Sequence, residues 1–400
     1  MTDGGLGSCQ VAVFADFFPP AFRGGGPIRT LEALVASAPQ QFSVSVLTSD
    51  RDLNSIERLP VASNEWTKSG KASVYYASID KPVKLVQALY RLRRERPQIL
   101  YLNSFFSPRL SVLPQLLSGF FFWGRSSRLV APRGEFGNGA LQRRWFKKKA
   151  FILAYRLLRL DRNVYWHASS KDEAANIKSV WGSSARILIR EDETSLPSTA
   201  SPVSATRHES IGLRAVFLSR LVEHKGLLIL LKALSKVTAH VTLDIYGPEE
   251  DKSYVAQCQL VADQLPNHIN VRFFGVIPQE TVRTTLGLYD VLLMPTAGEN
   301  FSHVIAESLS VSCPVMCTPD TLWTTVLNNG GGYVVEDRSI AAWSQAVNKY
   351  AELPAKELVV RREQAEQAYA RWKATSDGPH IFELLEGELS LHRRHIAEKA

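Results

Sequence analysis

The amino-acid sequence predicts an α/β protein built from two doubly wound parallel-sheet domains. Short apolar runs typical of buried strands alternate with helix-period segments along most of the 400 residues, which is the pattern of repeated βα units. A segment rich in serine and proline, residues 196–210, interrupts this alternation, and the same pattern starts again after it. A chain of this length also exceeds one ordinary hydrophobic core. Two Rossmann-like halves joined by a linker therefore follow.

Each half contains a series of short apolar runs that we predict to be strands. The first half begins with a strand at 11–15, a loop rich in glycine and proline, and a helix at 28–37. The further predicted strands of the first half are 43–47, 73–76, 99–102 and 129–131. Those of the second half are 215–218, 241–246, 271–274, 291–294 and 314–317. Runs of this length, bounded by turn residues, are typical of buried strands.

The domain boundaries follow from the break in composition. The serine- and proline-rich residues 196–210 cannot bury enough apolar surface to order themselves, so we assign them to a linker. The first domain then covers residues 1–195 and the second covers 211–370. Residues 371–400 form a charged, helix-patterned tail that can return to the first domain.

The overall composition is that of a soluble globular protein, with 45% hydrophobic and 22% charged residues. No uninterrupted apolar run reaches the roughly eighteen residues of a membrane span, and the N-terminus lacks the basic and apolar pattern of a secretory signal. The four cysteines are scattered, without the spacing of metal ligands, which favours a reducing compartment. We therefore expect a cytoplasmic protein.

The formal net charge of +8 is distributed unevenly. Residues 143–162 contain eight basic residues and one acid, interleaved with large apolar side chains. A second basic cluster consists of Arg91, Arg93, Arg94 and Arg96. A basic surface with apolar side chains attracts anionic lipid head groups, so an anionic membrane surface is the favoured partner. Two alternatives remain for these basic residues. They can bind nucleic acid, which we do not expect, or they can form an ordinary solvated helix face without a partner.

The stretch 296–307 runs from a predicted buried strand through a glycine-containing loop into a helix. In open α/β sheets, ligands bind where strands end and helices begin, and free backbone N–H groups there favour a phosphate. Asn300 and Ser302 are residue types that cap helix N-termini. Glu299 and Glu307 bracket this helix start, and carboxylates accept hydrogen bonds from paired sugar hydroxyls. Their spacing alone favours the alternative of two solvated surface glutamates.

Two cations follow the first predicted strand of the second half. Arg220 and Lys225 precede Gly226 in a strand-to-helix loop. The arginine fork and the lysine point charge are both suited to a diphosphate. Taken alone, this pair can also be solvated.

The second half resembles the C-terminal domain of the GT-B glycosyltransferases of family 4, a retaining family. The resemblance rests on four segments that occur in the order found in that family: 220–226, 244–248, 271–275 and 299–307. In the first half, Gly24-Gly-Gly-Pro27 is similar to that family's first-strand loop, and Ala131-Pro-Arg-Gly-Glu135 to a segment of its bacterial polysaccharide-assembly branch. The resemblance weakens at 190–194, where Arg-Glu-Asp-Glu-Thr replaces the usual Pro-Asn-Gly-type turn. It implies two Rossmann-like domains facing across a cleft, with the acceptor side first and the nucleotide-sugar site second.

The resemblance also implies roles for single residues of the donor site. Arg220 and Lys225 would neutralise the diphosphate of a nucleotide sugar and stabilise the charge of the leaving group. Glu299 would hold hydroxyls of the donor sugar, so these three residues are the expected catalytic groups. Glu307 would accept hydrogen bonds from the ribose, and the backbone of Val276 would lie against the base.

Backbone groups complete the expected donor site. The amides of residues 300–302 would meet the phosphates, and a glycine loop would close over the diphosphate and the acceptor. The residues concerned are Asn300, Phe301 and Ser302, and Gly24, Gly25 and Gly26. A flexible turn without a ligand role is the alternative for the glycines. They do not form the G-x-G-x-x-G pattern, which disfavours a nicotinamide-dependent dehydrogenase.

The acceptor side is defined less sharply by the sequence. The candidates are Asn103 and Ser104 at the end of one strand, and Arg133, which could bind an anionic group such as a lipid pyrophosphate. Glu135 is expected either to position the acceptor or to form an ion pair with a nearby arginine, Arg143 or Arg144. His167 is expected to be a satisfied strand-end histidine rather than a catalytic group.

The sequence and its resemblance to family 4 thus predict a retaining transferase that moves a hexosyl-type unit from a nucleotide diphosphate sugar to a lipid-linked saccharide acceptor in surface polysaccharide assembly. No cofactor is expected besides the donor substrate, and no Asp-x-Asp triplet is present to hold a metal ion. We expect the protein at the inner face of the membrane as a peripheral protein. The alternatives are a nucleotide-sugar epimerase or hydrolase, and a non-catalytic GT-B scaffold.

Overall fold

The computed structural model describes residues 8–119, 122–124, 126–137, 145–202, 212–299, 301–319 and 321–397. The chain divides into two compact units. Unit 1 consists of Met1–Thr194 together with Gly378–Ala400, and unit 2 consists of Ser195–Asp377. The C-terminal residues, from Gly378 onward, therefore group with unit 1.

Unit 1 is built on an eight-stranded sheet. Its strands are β1 (Cys9–Phe14), β2 (Phe42–Ser49), β3 (Trp66–Ser69), β4 (Ala72–Ala77), β5 (Ile99–Leu102), β6 (Ser127–Val130), β7 (Val164–Ala168) and β8 (Arg186–Ile189). They lie in the order β3-β4-β2-β1-β5-β6-β7-β8. Only the β3–β4 pair of this sheet is antiparallel.

Helices cover both faces of this sheet. Successive strand residues point to opposite sides, and because they are apolar on both sides, each face needs a covering layer. Ala12 and Phe14 belong to one hydrophobic core, while Val11 and Val13 belong to the other. The second core also takes Phe382 from the C-terminal helix, which attaches the end of the chain to unit 1. The helices of the unit are α1 (Gly26–Ser37), α2 (Pro82–Arg94), α3 (Leu113–Gly119), α4 (Trp145–Leu157), α5 (Lys171–Trp181) and α13 (Ile381–Ala397).

Unit 2 is built on a six-stranded sheet in which every pair is parallel. Its strands are β9 (Leu213–Leu218), β10 (Val241–Tyr246), β11 (Ile269–Gly275), β12 (Val291–Met294), β13 (Val315–Cys317) and β14 (Gly332–Val334), in the order β11-β10-β9-β12-β13-β14. Its helices are α6 (Leu227–Leu234), α7 (Lys252–Ala262), α8 (Gln279–Leu286), α9 (His303–Leu309), α10 (Thr324–Val326), α11 (Ile340–Ala351) and α12 (Ala355–Ser376).

The strand order of unit 2 reverses between β9 and β12. From β9 the chain first builds outward through β10 and β11, and then crosses to β12, β13 and β14 on the other side. This is the doubly wound order of Rossmann folds, in which ligands bind at the point of reversal. In unit 1, the corresponding reversal lies between β1 and β5.

The predicted α/β class with two parallel-sheet domains is confirmed. The strands at 99–102, 241–246 and 291–294 have the predicted bounds, and the other predicted strands differ only at their ends. No bounds were predicted for β3, β7, β8 or β14. Of these, β3, β8 and β14 are edge strands, and β7 lies beside β8. Among the helices of the described ranges, none has both the length and the apolar character needed to cross a bilayer.

Candidate functional site

The candidate residues of unit 2 lie in the loops that follow β9, β11 and β12, except Glu307, which lies in α9 directly after the last of these loops. In a parallel sheet all these loops leave from the same edge, and β9 is paired with β10 on one side and with β12 on the other. The loop 219–226 after β9 and the loop 295–302 after β12 therefore flank the point where the strand order reverses. Ligands bind in open α/β sheets where such loops diverge.

Two glycines allow these loops to approach one another closely. Gly226 has a left-handed conformation with φ of 80°, and a Cβ atom there would lie 2.1 Å from the carbonyl oxygen of Pro295. At Gly247, a Cβ atom would lie 1.8 Å from the carbonyl oxygen of Ser219. Since no side chain fits at either position, the glycines of the sequence motifs fix the loop after β9 against its two neighbours.

Hydrogen bonds hold the loop after β12 to the loop after β9 and to the segments that follow β13 and β14. The Ala297 amide donates to the His224 carbonyl at 2.8 Å. The Thr318 hydroxyl donates to the Thr296 carbonyl at 2.7 Å, and Arg338 Nε donates to the Pro295 carbonyl at 3.0 Å. The backbone on both sides of the strand reversal is therefore held by the protein itself.

Lys225 and Glu299 meet at this point. Lys225 Nζ lies 2.5 Å from Glu299 Oε1, and the two side chains are only 13% and 9% exposed. A cation and an acid at such low exposure form a largely buried ion pair, and removing either one leaves an uncompensated charge. The structure thus brings together two of the four charged residues predicted from the sequence.

Arg220, also predicted for this site, is paired with a different acid. Its Nη1 atom lies 2.9 Å from Glu250 Oε2 in the loop after β10, with side chains 37% and 36% exposed. Glu250 was not among the predicted site residues, although it lies two residues after the Gly247-Pro248 motif. Because exposed ion pairs are weak, Arg220 can exchange this carboxylate for another anion at little cost.

Glu307, the fourth predicted residue, is buried in α9. It accepts a hydrogen bond of 2.7 Å from Gln279 Nε2, at the first residue of α8. Gln279 was not among the predicted site residues. Glu307 is only 1% exposed, so it is not a solvated surface charge, which was the alternative for this residue.

The start of α9 differs in detail from the expectation. Ser302 occupies the N-cap position, but it has a left-handed conformation with φ of 62° and its side chain makes no capping hydrogen bond. Phe301 is 4% exposed and packs against the rings of Trp323 and Trp372, so its side chain belongs to the core. Asn300, predicted beside them, lies outside the described residues.

Val276 follows β11 on the same edge of the sheet. The Gly275 before it has a left-handed φ of 72°, and its carbonyl accepts the Gly247 amide at 2.8 Å. The Val276 side chain is 52% exposed. The structure therefore places Val276 beside the loop that follows β10, at the edge strand of the sheet.

A second group of candidates lies at the strand reversal of unit 1. The glycine loop of Gly24, Gly25 and Gly26 follows β1 and leads into α1. Gly25 has a left-handed φ of 68°. The buried carboxylate of Asp52 accepts the amides of Phe22 and Arg23 at 3.0 and 3.2 Å, so the start of this loop is anchored.

Arg133 has internal partners that the sequence analysis did not foresee. Its side chain is 7% exposed and forms an ion pair with Asp192. It also donates to Asn103 Oδ1 at 2.9 Å and to the Tyr101 hydroxyl at 2.6 Å. The sequence predicts that this guanidinium binds an anionic acceptor group, whereas the structure pairs it with a carboxylate of its own chain. Burial raises the pKa of Asp192, although the Arg133 charge acts in the opposite direction.

Glu135 holds the loop after β5. It accepts the Ser104 hydroxyl at 2.8 Å and the amides of Phe105 and Phe106 at 2.6 and 3.3 Å. Burial raises the pKa of Glu135, and these hydrogen bonds oppose that effect. The two arginines considered as its ion-pair partners lie outside the described residues. Glu135 therefore positions Ser104, another of the acceptor-side candidates.

His167 is a satisfied strand-end histidine, as expected. Its Nδ1 atom lies 2.9 Å from the Tyr101 hydroxyl and its Nε2 atom 3.0 Å from the Arg190 carbonyl. Burial, followed by the nearby Arg133 charge, lowers the pKa of His167 well below its usual value.

The described residues contain no group of three or more His, Cys, Asp or Glu side chains arranged to hold a metal ion. The four cysteines are free thiols. Burial raises the pKa of Cys313 to about 11 and that of Cys317 to about 12, which is typical of structural rather than reactive thiols.

Comparison with known proteins relates unit 2 to one enzyme family. Residues 208–371 match the family described as Glycosyl transferases group 1. This chain is 25% identical over 164 residues to TuaC of Bacillus subtilis (strain 168). TuaC is provisionally named a glycosyltransferase of teichuronic acid biosynthesis. That match covers 41% of this chain and 38% of TuaC.

Solved structures resemble the whole chain. Anabaena HepE, in complex with UDP and glucose, has a TM-score of 0.68 at 14% identity, covering 96% of this chain and 99% of HepE. WaaG, a glycosyltransferase involved in lipopolysaccharide biosynthesis, has a TM-score of 0.61 at 13% identity, covering 90% and 95%. These likenesses confirm the predicted GT-B fold.

Proposed function

We propose that this protein is a retaining, metal-independent glycosyltransferase of family 4 that takes its sugar from a nucleotide diphosphate sugar. The observation that carries the proposal is the Lys225–Glu299 pair at the strand reversal of unit 2. The match of unit 2 to the glycosyltransferase group supports the proposal. It is also supported by the similarity to HepE, crystallised with UDP and glucose, and to TuaC, which is named as a glycosyltransferase. Retention rests on the resemblance to family 4, and we assign no covalent intermediate.

The cations of the site would bind the diphosphate. A lysine ammonium has three N–H donors, so Lys225 can keep Glu299 and still reach a phosphate oxygen. Arg220 can leave its exposed pair with Glu250, because such a pair is worth about 1 kcal/mol or less. As the sugar leaves, negative charge grows on the diphosphate, and fixed cations beside it lower the barrier.

The carboxylates would bind hydroxyl groups. Glu299, held by Lys225, is oriented to accept hydroxyls of the donor sugar near its reacting carbon. Glu307 accepts the ribose hydroxyls, and the Val276 backbone lies against the base. The backbone at 300–302 is assigned to the phosphates, as in the sequence analysis.

On the acceptor side, we assign the glycine loop 24–26 to contact with the bound substrates. Asn103 and Ser104 lie at the carboxyl end of β5, beside that loop's strand β1. Arg133 and Glu135 hold these two residues by hydrogen bonds. We therefore assign direct acceptor contact to Asn103 and Ser104, and a positioning role to Arg133 and Glu135.

A panel of nucleotide sugars tests the function. We expect one nucleotide diphosphate sugar to raise the unfolding temperature of the chain, since a ligand at 100 times its Kd stabilises by about 2.7 kcal/mol. Transfer from that donor should need an added acceptor and keep the anomeric configuration, as read by NMR of the product. Hydrolysis or epimerisation without an acceptor would favour the second enzyme class. If no nucleotide sugar is bound, the chain is a scaffold.

The acceptor is proposed to be carried on a membrane lipid, with the protein in the cytoplasm at the inner face of the membrane. Helix α4 supports this because it exposes large apolar side chains beside basic ones. Phe146, Leu153 and Leu157 are 81%, 59% and 74% exposed, and the exposed Lys147 and Arg159 lie close to them in the sequence. Apolar side chains insert at the lipid interface while basic ones meet anionic head groups.

Vesicle binding tests this surface. The double variant Leu153→Ser/Leu157→Ser should lose binding to vesicles that contain anionic lipid, because it removes the apolar side chains that insert. Lys147→Ala should weaken binding about fivefold, since each basic residue near an anionic surface contributes about 1 kcal/mol. Cosedimentation measures both effects. Leu260→Ser, which changes a 63% exposed leucine of unit 2, is the control. Equal binding of all variants would show that α4 does not contact the membrane.

A further inference from the structure

Gln279 connects two parts of the proposed nucleoside site. Its side-chain amide donates to Glu307 Oε1 at 2.7 Å. Gln279 is the first residue of α8, whereas Glu307 lies in α9 and is 1% exposed. The hydrogen bond therefore joins the start of one helix to a buried carboxylate of another.

The position of Gln279 in the chain places it beside the expected base contact. Val276 is three residues earlier, and only Ile277 and Pro278 lie between them. Pro278 is the N-cap residue of α8, with φ of −59° and ψ of 144°, so the proline ring fixes the approach of this turn to the helix. One short segment thus carries both the proposed base contact and the residue that holds the proposed ribose acceptor.

We infer that Gln279 is a positioning residue that orients the Glu307 carboxylate toward the ribose hydroxyls of the donor and so sets the preference for ribonucleotides. This inference rests on the proposed function. A carboxylate has about four acceptor positions, so a hydrogen bond to Oε1 fixes the plane of the group and leaves capacity for hydroxyl donors. The glutamine amide is uncharged, so it orients Glu307 without neutralising it as a lysine or arginine would.

The test compares ribonucleotides with their 2′-deoxy counterparts. Calorimetric titration of the full chain uses UDP, ADP and GDP and their three 2′-deoxy counterparts. The ribonucleotide and 2′-deoxynucleotide affinities are then compared for the base that binds most tightly. We expect the wild-type chain to bind the ribonucleotide at least about tenfold more tightly, since a hydrogen bond to a charged group is worth about that factor. Gln279→Ala should weaken ribonucleotide binding about tenfold and change 2′-deoxynucleotide binding less than about twofold.

Two further variants make the result specific. Gln279→Glu keeps the size of the side chain but places a second carboxylate beside Glu307, so we expect it to weaken ribonucleotide binding at least as much as Gln279→Ala. Glu280→Ala changes the next, exposed residue of α8 and should leave both affinities unchanged. Thermal unfolding of each variant shows whether it is folded, and the ratio of the two affinities is insensitive to a general loss of active protein.

The outcomes separate this inference from the proposed function. If the wild-type chain binds none of the nucleoside diphosphates, the proposed function fails and the inference fails with it. If the wild-type chain binds them without preferring the ribonucleotide, or if Gln279→Ala changes both affinities equally or neither, the inference alone is overturned. A preference that disappears in Gln279→Ala and persists in Glu280→Ala supports it.

Discussion

Replacing Lys225 by alanine is expected to lower the rate of sugar transfer by about 100- to 1000-fold, the range found when one preorganised electrostatic group is removed. The ammonium of Lys225 is 13% exposed and contacts Glu299, so it acts where water screens its charge weakly. Its loss removes a cation from the leaving diphosphate and leaves the Glu299 carboxylate without its counter-charge. Initial rates with the donor identified in the binding panel give kcat and kcat/KM.

The matched control is Lys232→Ala, which removes an exposed lysine from α6 in the same unit. We expect its rate to stay within about twofold of the wild type, because surface charges of this kind contribute little. The double variant Lys225→Ala/Glu299→Ala should be less impaired than the product of the two single effects, since the residues are in contact. A Lys225→Ala enzyme with a rate within threefold of the wild type would exclude Lys225 from the transition state.

Replacing Arg133 by alanine is expected to destabilise unit 1 by about 3–5 kcal/mol, the cost of removing one partner of a buried ion pair. The Arg133 and Asp192 side chains are 7% and 6% exposed, so Asp192 would keep a buried carboxylate without its cation. Hydrogen exchange at the amides of β5, β6 and β7 reports this locally. It is preferable to a single melting curve, because a chain of two units need not unfold in one step.

The control for this prediction is Lys84→Ala on the exposed face of α2, which should change stability by less than about 0.5 kcal/mol. The double variant Arg133→Met/Asp192→Leu should regain part of the loss, since apolar residues of similar volume often replace a buried ion pair without penalty. A cost below 1 kcal/mol for Arg133→Ala would show that the pair is not structurally important, and would leave Arg133 available to an anionic acceptor.

Much of unit 2 could be predicted because its signals are local. Strand β12 is a continuous apolar run, and β10 alternates apolar with polar residues. Because turns bound both strands, their observed limits match the predicted ones. In unit 1, by contrast, the edge strand β3 has the sequence Trp66-Thr-Lys-Ser69. Its side chains are half-buried or exposed, so no apolar run marks this strand. Pairing of Lys225 with Glu299 was foreseeable, because the residues following β9 and β12 meet once these strands are neighbours.

The other partners could not be predicted because they depend on contacts between distant segments. Arg220 is paired with Glu250 and Glu307 with Gln279, and neither pairing has a fixed spacing in the sequence. Asp192 lies in the segment that departs from the family turn, and only the folded chain places it against Arg133. Likewise, Gly226 and Gly247 were visible as motif glycines, but the carbonyl groups that exclude a side chain there belong to other loops.

The most direct test of the central claim is a crystal structure of the chain with the nucleotide diphosphate sugar that the panel selects. A diphosphate oxygen should lie within hydrogen-bonding distance of Lys225 Nζ, and the ribose hydroxyls should lie within that distance of the Glu307 carboxylate. A nucleotide bound away from the loops after β9 and β12 would contradict the proposed site.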